Sequence, residues 1–404
     1  MDLKSGYPFW SVKNGLLQAF PATYEDLRCD VAVVGAGITG ALIADELSQH
    51  GHDVVVIEER DVGWGSSAAS TALLQYEIDT HLVDLARLYG ERDAVLAYQA
   101  CAAAIPRLEA LAAEVRDVDF RTMHSLYYAS RARHTVALQD EYALRAKHGF
   151  AVEWLDRGPL HERYRIAAPG AILSTLAACI DPYRMAYRLL ARVAKSGGRV
   201  FDRTAVARLD ATSRGVVLHT SHGGTVRAKH VVLAAGYGNA RWLKQRVAKN
   251  RSTYAVITEP VADVALGALE RTMVWESARP YLYMRTTGDR RLLIGGEDDA
   301  TDLPARRDAR VLKKAGRLIE QVATLFPRLP LEFGFAWAGT FAETRDGLPY
   351  FGAHAEHGSR VHFAMAYGGN GITYSMIGAG LLRATIERRT HPLAELFSFR
   401  RLER

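Results

Sequence analysis

The sequence predicts an α/β protein whose main sheet is parallel. Two short apolar runs, residues 31–34 and 54–57, have the continuous hydrophobicity of strands that are buried on both faces. The segment between them, ITGALIADELSQHG, repeats apolar residues at helical spacing and reaches a typical C-terminal cap at Gly51. A second strand, glycine-rich turn and helix follow near the C-terminus, in VHFAMAYGGNGITYSMIGAGLLRATIERR. Strands that alternate with helices in this way favour βαβ units.

Length and composition indicate a globular chain with a large core, because 404 residues that are 49% hydrophobic suffice for two or more domains. The net charge of +6 is spread along the chain, which argues against nucleic-acid binding. No apolar run reaches the roughly 18 residues of a membrane span, and the first residues lack a signal-peptide pattern. We therefore expect a cytoplasmic protein. The 3 cysteines have no CxxC or CxxH spacing, so no disulfide framework or metal site is expected.

The turn after the first strand has the spacing GxGxxG, formed by Gly35, Gly37 and Gly40. Gly35 allows the tight turn, Gly37 lets a pyrophosphate approach the backbone, and Gly40 lets the helix pack on the strand. The helix begins near Ile38 and Thr39, and its free N–H groups favour phosphate. Three glycines alone can simply make a tight turn. Their position between a strand and a helix nevertheless predicts a dinucleotide site.

The second strand ends in Glu58 and Glu59. An acidic residue at this point is placed to accept hydrogen bonds from the ribose hydroxyls of a dinucleotide. NAD and FAD share the adenosine diphosphate half that this fingerprint recognises. The first half of the motif therefore leaves the choice between them open.

Three later segments favour FAD. The loop GWGSS contains Gly65, Ser66 and Ser67, which suit a pyrophosphate or ribityl chain, although an ordinary glycine-serine loop is the alternative interpretation. The strand HVVLAAG ends in Ala235 and Gly236, where the backbone again approaches a neighbour closely. The late turn YGGNGIT starts another helix, whose N-terminus can face the N1–C2=O edge of a flavin. An NAD enzyme has no need of this late element.

These segments resemble the D-amino-acid oxidase-like family of FAD-dependent oxidoreductases, the group of glycine oxidase, sarcosine oxidase and gamma-glutamylputrescine oxidase. The resemblance lies in VVGAGITG, GWGSS, IDPYRMAYRLL, VVLAAG, YAVITEP, RLLIGGE, GLPYFG and YGGNGIT, which follow the family's order. It implies a Rossmann-like, glutathione-reductase-like FAD-binding domain that is interrupted by a substrate domain with a mixed or antiparallel sheet. We expect the FAD-binding domain at residues 1–79, 171–245 and 336–404, and the substrate domain at 80–170 and 246–335.

The resemblance also assigns the residues that contact each ligand. Tyr281, Tyr283 and Arg285 alternate on one strand and are expected to line the substrate cavity with Phe341, although half-buried sheet residues are the alternative interpretation. Other aromatic candidates are Tyr254, Trp275, Trp337 and Tyr367. The expected FAD-binding residues are Gly35, Gly37, Ile38, Thr39, Gly40, Glu58, Glu59, Gly65, Ser66, Ser67, Val206, Ala235, Gly236, Gly339, Gly368, Gly369, Asn370, Gly371, Ile372 and Thr373.

Several positions depart from the family. Phe341 stands where an arginine binds the substrate carboxylate in glycine oxidase, and Gln75 replaces a basic residue of the sarcosine oxidases. Leu293 stands where those enzymes carry an oxygen-activating lysine. No cysteine follows Cys179, so the FAD is expected to be noncovalent.

The resemblance implies an enzyme that oxidises the C–N bond of an amine or amino-acid-derived substrate, by hydride transfer to flavin N5 and later hydrolysis of the imine, and the departures favour a substrate that is not a simple α-amino acid. Arg285 is the expected partner of a distal anion on the substrate, and the electron acceptor is oxygen, a quinone or a partner protein. One alternative is a flavin dehydrogenase of an amino acid or 2-hydroxy acid. Another is a flavin-binding subunit of a larger complex without activity of its own.

Overall fold

The computed structural model describes residues 2–403, which form two sheets with helices around them. The strands are β1 Leu27–Val34, β2 Val54–Ile57, β3 Leu73–Gln75, β4 Arg121–Tyr128, β5 Val152–Asp156, β6 Gly170–Cys179, β7 Arg199–Phe201, β8 Val206–Ala211, β9 Val216–Thr220, β10 Thr225–Leu233, β11 Lys249–Pro260, β12 Thr272–Glu276, β13 Tyr283–Thr286, β14 Arg291–Asp299, β15 Phe333–Glu343, β16 Tyr350–Ala353 and β17 Val361–Met365. The helices are α1 Phe9–Asn14, α2 Ile38–Gln49, α3 Ser66–Ala69, α4 Leu82–Tyr89, α5 Glu91–Val115, α6 Thr135–Lys147, α7 Arg157–Tyr164, α8 Pro182–Lys195, α9 Asp263–Leu266, α10 Pro304–Asp308, α11 Val311–Leu325 and α12 Gly371–Ile386.

The first sheet has the strand order β16-β17-β10-β1-β2-β7, and the pairs from β17 to β7 are parallel. Strands β8 and β9 extend it through an antiparallel pairing with β10. Helices α2, α8 and α12 pack together over this sheet and cover its largest apolar core. The apolar runs at 31–34 and 54–57 are fully buried, as expected for strands in a covered parallel sheet.

Helix α8 begins at an Asp-Pro pair that caps it. Asp181 is the N-cap, and its carboxylate accepts hydrogen bonds from the backbone N–H groups of Tyr183 and Arg184 at 3.1 and 2.9 Å. Pro182 occupies the first helical turn, where its missing N–H costs nothing. This cap fixes where the chain leaves the second sheet and enters the helical layer.

The second sheet has the order β15-β11-β14-β13-β12-β4-β6-β3, with β5 also paired to β6. Its pairs are antiparallel except for β12 with β4, so the sheet is mixed. Helix α11 packs against β11, β14 and β15. Strands β3, β6 and β15 pair in this sheet, although the predicted boundaries assign them wholly or partly to the FAD-binding domain. The chain therefore crosses between the sheets before residue 73 and after residue 343.

The N-terminal segment joins the two sheets. Residues around Lys4 form a bridge to Gly339 on β15, and the buried Arg307 donates hydrogen bonds to the carbonyl oxygens of Asp2 and Lys4 at 3.0 and 2.8 Å. Trp10 is fully buried and donates to the carbonyl oxygen of Ser70 at 2.7 Å. Because of these contacts, the segment closes one side of a cleft that runs between the sheets.

Candidate active site

One end of the cleft is built by the turn between β1 and α2. Gly35 has φ +111°, and a Cβ there would lie 2.5 Å from the carbonyl oxygen of Ala234. At Gly40 a Cβ would lie 1.9 Å from the carbonyl oxygen of Gly35, so the helix packs on the strand only without a side chain. Gly37 is the N-cap of α2, and the next N–H, of Ile38, donates to Ser67 Oγ at 2.8 Å. The GxGxxG turn thus has the packing that its spacing predicts.

Glu58 closes this turn from the end of β2. Its Oε2 accepts a hydrogen bond from the Ala36 N–H at 2.7 Å, and its Oε1 accepts one from the Arg60 N–H at 2.9 Å. Burial raises the pKa of Glu58, while these two hydrogen bonds act in the opposite direction. Glu59 is exposed and lies 3.5 Å from the guanidinium of Arg241. Both carboxylates line the cleft.

The N-terminus of α12 forms the middle of the cleft. Gly368 has φ +88°, and the Gly369 N–H donates to Asp79 Oδ2 at 2.8 Å. Asn370 Nδ2 and Thr373 Oγ1 both donate to the carbonyl oxygen of Gln75, at 3.0 and 3.2 Å. The first N–H groups of the helix have no partner within the helix, and Gly371 and Ile372 face the cleft. Two helix N-termini, of α2 and α12, therefore meet one cleft.

Aromatic side chains line the other end of the cleft. Trp275 lies edge-to-face with Tyr281 at 6.4 Å between ring centroids, and Tyr281 lies 5.6 Å from Tyr283. Tyr281 Oη donates to Asp79 Oδ1 at 3.2 Å. Burial raises the pKa of Tyr283 to about 12 and that of Tyr281 further, so both phenols stay neutral. We call this part of the cleft the substrate end; it is lined by Gln75, Glu77, Asp79, Thr253, Trp275, Tyr281, Tyr283, Asp298 and Phe341.

Comparison with known proteins decides what the cleft is. The family described as FAD dependent oxidoreductase (DAO) matches residues 30–385. The chain belongs to this family. It is 31% identical to the glycine oxidase of Geobacillus kaustophilus over 389 residues, covering 92% of this chain and 96% of that enzyme. It is 26% identical to the gamma-glutamylputrescine oxidoreductase of Escherichia coli over 400 residues, covering 91% and 87%.

Two solved structures agree with the fold. The crystal structure of glycine oxidase from Geobacillus kaustophilus superposes with a TM-score of 0.77 at 25% identity, covering 92% of this chain and 98% of that one. The L-proline dehydrogenase from P. horikoshii superposes with a TM-score of 0.78 at 18% identity, covering 94% and 98%. The predicted α/β fold and the family are confirmed. The chain is a flavoenzyme that uses FAD and acts on C–N bonds.

The residues of the cleft fit FAD. Ser66 Oγ and Arg60 Nε both line it and are buried without a hydrogen-bond partner among the described residues. A hydroxyl and a guanidinium that lack partners beside the α2 N-terminus suit the charge of a pyrophosphate. Among the expected FAD-binding residues, Gly40 and Thr373 do not line the cleft and act through packing, while the other eighteen line it. Contact of each with FAD remains a prediction.

Arg285 does not lie where the sequence predicts. Its side chain is 1% exposed, does not line the cleft, and donates to the carbonyl oxygens of Thr71, Thr286 and Ile180 at 2.7, 3.2 and 3.4 Å. Burial lowers its pKa. Arg285 follows Tyr283 on the same side of β13, but it lies beyond the end of the cavity and braces the loop at Thr71. Its expected role as the partner of a substrate anion has no support in this geometry.

Other expectations have mixed outcomes. Tyr281, Tyr283 and Phe341 line the cleft, as do Trp275, Trp337 and Tyr367. Tyr254 does not; it donates to Asp299 Oδ2 at 2.7 Å. Arg345, four residues beyond Phe341, is exposed and does not reach the cleft.

The sequence reasoning missed three carboxylates of the substrate end, Glu77, Asp79 and Asp298. The only signal was their position directly after β3 and at the end of β14. All three cysteines, Cys29, Cys101 and Cys179, are buried free thiols. None of them is among the described residues, 2–403, that line the cleft. In the same range, no helix has the length and apolarity to cross a membrane, and no group of acidic, histidine or cysteine side chains is arranged to hold a metal ion.

Proposed function

We propose that this enzyme oxidises a primary or secondary amine that enters the cavity as a cation, rather than a simple α-amino acid. The observation that carries the proposal is the charge of the substrate end. Glu77, Asp79 and Asp298 line it, and no described arginine or lysine does. Behind this lining, Arg145 pairs with Glu77 at 3.7 Å and Arg279 donates to the carbonyl oxygen of Asp79 at 3.1 Å, so Asp298 is the acid of the three that no described cation pairs with or donates to. The arginines that line the cleft, Arg60 and Arg241, lie beside Glu58 and Glu59 at the nucleotide end. An α-carboxylate in a buried site is ordinarily held by arginine.

Phe341 supports the same proposal from β15. It lines the cavity at the position where glycine oxidase is expected to carry its carboxylate-binding arginine. An aromatic ring there offers apolar surface and no donor for a carboxylate. The name of the second relative, gamma-glutamylputrescine oxidoreductase, points to a polyamine-derived substrate, which is one possible class for this chain.

FAD, when bound, supplies the two-electron acceptor that takes a hydride from the carbon bearing the nitrogen. An amine that enters as a cation first loses one proton to water, and the protein then has to orient it, exclude further water and keep the reacting nitrogen neutral. Tyr281 and Tyr283 serve orientation, because their raised pKa values keep the phenols protonated. Water hydrolyses the resulting imine to a carbonyl compound and an amine or ammonia.

The electron acceptor is a separate part of the proposal. Leu293 is fully buried in the core, and no lysine is among the described residues that line the cleft. We therefore favour a quinone or partner protein over oxygen, which makes a dehydrogenase the second candidate function. A cytoplasmic location is proposed on the free state of all three thiols, which suits a reducing compartment.

The test is anaerobic reduction of the bound flavin by paired compounds. Each primary amine is compared with the α-amino acid that differs from it only by the carboxylate, and with the matching 2-hydroxy acid. We expect the amines to bleach the flavin faster, and an amino acid that outpaces its amine would overturn the proposal. Air is then admitted, and slow return of the yellow colour identifies a dehydrogenase.

A further inference from the structure

The inference concerns three consecutive acids at the end of β14. Glu297 and Asp299 point toward α11 and toward Arg310, which directly precedes it. Glu297 accepts from the ammonium of Lys314 and the amide of Gln321, and Asp299 accepts from Arg310 at 2.8 Å. Asp298 lies between them, in a β-bulge of β14 where Glu297 has φ +56°, and its side chain points to the opposite side. There it lines the substrate end of the cleft. Its neighbours are neutralised by cations, whereas Asp298 has no ion-pair partner among the described residues.

Asp298 also has an unused acceptor. Its Oδ1 is buried and has no hydrogen-bond partner in the described part of the chain. An unpaired carboxylate oxygen in a buried site is costly, because the group has lost water without gaining a donor. Glu77 lines the same cavity, but its carboxylate already faces the buried guanidinium of Arg145 at 3.7 Å. Asp79 differs from Asp298 as well, since Tyr281 and the Gly369 N–H already occupy its oxygens.

The walls beside Asp298 suit one kind of ligand group. Trp275, Tyr281 and Tyr283 line the cavity, and the negative faces of such rings attract cations; the Tyr281 ring already holds the guanidinium of Arg279 at 4.4 Å from its centroid. An ammonium group combines a positive charge with N–H donors for an empty carboxylate oxygen. We infer that Asp298 binds the ammonium group of the substrate and thereby selects cationic amines, an inference that rests on the proposed function.

The charge of Asp298 depends on its surroundings. The pKa of Asp298 is raised to about 6, chiefly by burial and also by the carboxylates of Glu343 and Asp79, whereas Thr253 and Arg279 act to lower it. The phenols of Tyr281 and Tyr283 face the same space and remain neutral. Asp298 is therefore ionised above about pH 6, and its attraction for a cation is lost as the pH falls below that value.

The experiment uses the FAD-loaded enzyme and a cation that cannot react. tert-Butylammonium has no hydrogen on the carbon that bears the nitrogen, and tert-butanol is its neutral counterpart. Binding of each is followed by the change in the visible absorbance of the bound flavin. We expect Asp298→Asn to raise the Kd of tert-butylammonium about ten-fold or more, without changing the Kd of tert-butanol or the FAD content.

Asp289→Asn is the matched control. Asp289 lies in the turn between β13 and β14, where it pairs with Arg291 and Lys13 at 3.0 and 3.5 Å, and it does not line the cleft. The variant removes the same charge from the same hairpin and should bind the probe as the wild type does. A wild-type Kd in Asp298→Asn would overturn the inference.

If Asp298→Asn does not retain FAD, the wild-type enzyme decides the question. Between about pH 5 and pH 8 tert-butylammonium keeps its charge, so the pH dependence of its Kd reports on the protein. The Kd should rise as the pH falls through about 6, and a flat profile overturns the inference. The two proposals fail separately. If amines bleach the flavin but the binding of the probe does not depend on Asp298, only the inference is refuted. If the probe binds through Asp298 but no amine bleaches the flavin, only the proposed function is refuted.

Discussion

Gly295→Ala tests whether the ring of Tyr283 positions the substrate. Gly295 on β14 lies directly opposite Tyr283 on β13, and the tyrosine ring covers it. A Cβ at position 295 would lie 2.3 Å from Cζ of that ring and 2.4 Å from its Oη. Carbon atoms normally keep about 3.5–4.0 Å apart, so the ring has to move by about 1.2–1.7 Å. The backbone cannot yield easily, because Gly295 also pairs with Ala255 on β11.

A displacement of about 1 Å in a positioning group costs about 100-fold in rate. We expect Gly295→Ala to lower kcat/KM for flavin reduction by about 10- to 100-fold, with unchanged FAD content. The control is Gly316→Ala in α11, where a Cβ meets no atom within 4 Å. Because the added methyl acts only through the ring, Tyr283→Ala and the double variant Gly295→Ala/Tyr283→Ala should have the same kcat/KM. Wild-type activity in Gly295→Ala, or a double variant much slower than Tyr283→Ala, would refute the reasoning.

Four further predictions concern the cofactor and stability. Gly40→Val should abolish FAD binding, since even a Cβ there would lie 1.9 Å from the Gly35 carbonyl oxygen, and the flavin content of purified protein checks this. Acid precipitation should release all the flavin, and colour left in the pellet would contradict noncovalent binding. Arg285→Met should lower the free energy of unfolding by about 1–3 kcal/mol, because it leaves buried carbonyl oxygens unpaired, while KM for a cationic amine stays unchanged. Burial lowers the pKa of His230 to about 4 and of His362 to about 3, so the unfolded chain binds more protons below about pH 6.5. Stability in urea titrations should therefore fall from about pH 6.5 to about pH 4, and less steeply in His362→Asn.

The nucleotide end of the cleft was predictable because its determinants are local. Gly35, Gly37 and Gly40 lie in one short turn, and the strand and helix on either side of it in the sequence identify them, even though Gly35 also packs against Ala234. Asp181 is a similar case, since an N-cap is decided within three residues. The positions of β3, β6 and β15 were harder to predict. Each is an apolar strand next to a predicted domain boundary. The hydrophobic pattern of such a strand is the same whichever of the two sheets it pairs in.

The substrate end could not be predicted because it is assembled from separate segments, near residues 75–79, 275–283, 298 and 341. Strand alternation correctly places Tyr283 and Arg285 on one side of β13, but it does not say where the cavity ends along that side. The loop at Thr71 covers the strand between the two residues. Arg285 therefore donates to the carbonyl oxygen of Thr71, whereas Tyr283 lines the cavity.

The same limit applies to the acids of β14, with the opposite outcome. In a sequence, Glu297, Asp298 and Asp299 are three charges of the kind that usually face solvent. A β-bulge at Gly296 and Glu297 interrupts strand alternation here, so only the structure, through Lys314 and Arg310, shows which acids are already neutralised. On the side that faces the cavity, Arg279 donates to the carbonyl oxygen of Asp79, and no described cation pairs with Asp298. An amine and an α-amino acid both bring an ammonium group to that carboxylate, but only the amino acid also brings a carboxylate, which Asp298 would repel. Under the proposed function, this repulsion and the absence of an arginine at Phe341 both act against an α-amino acid.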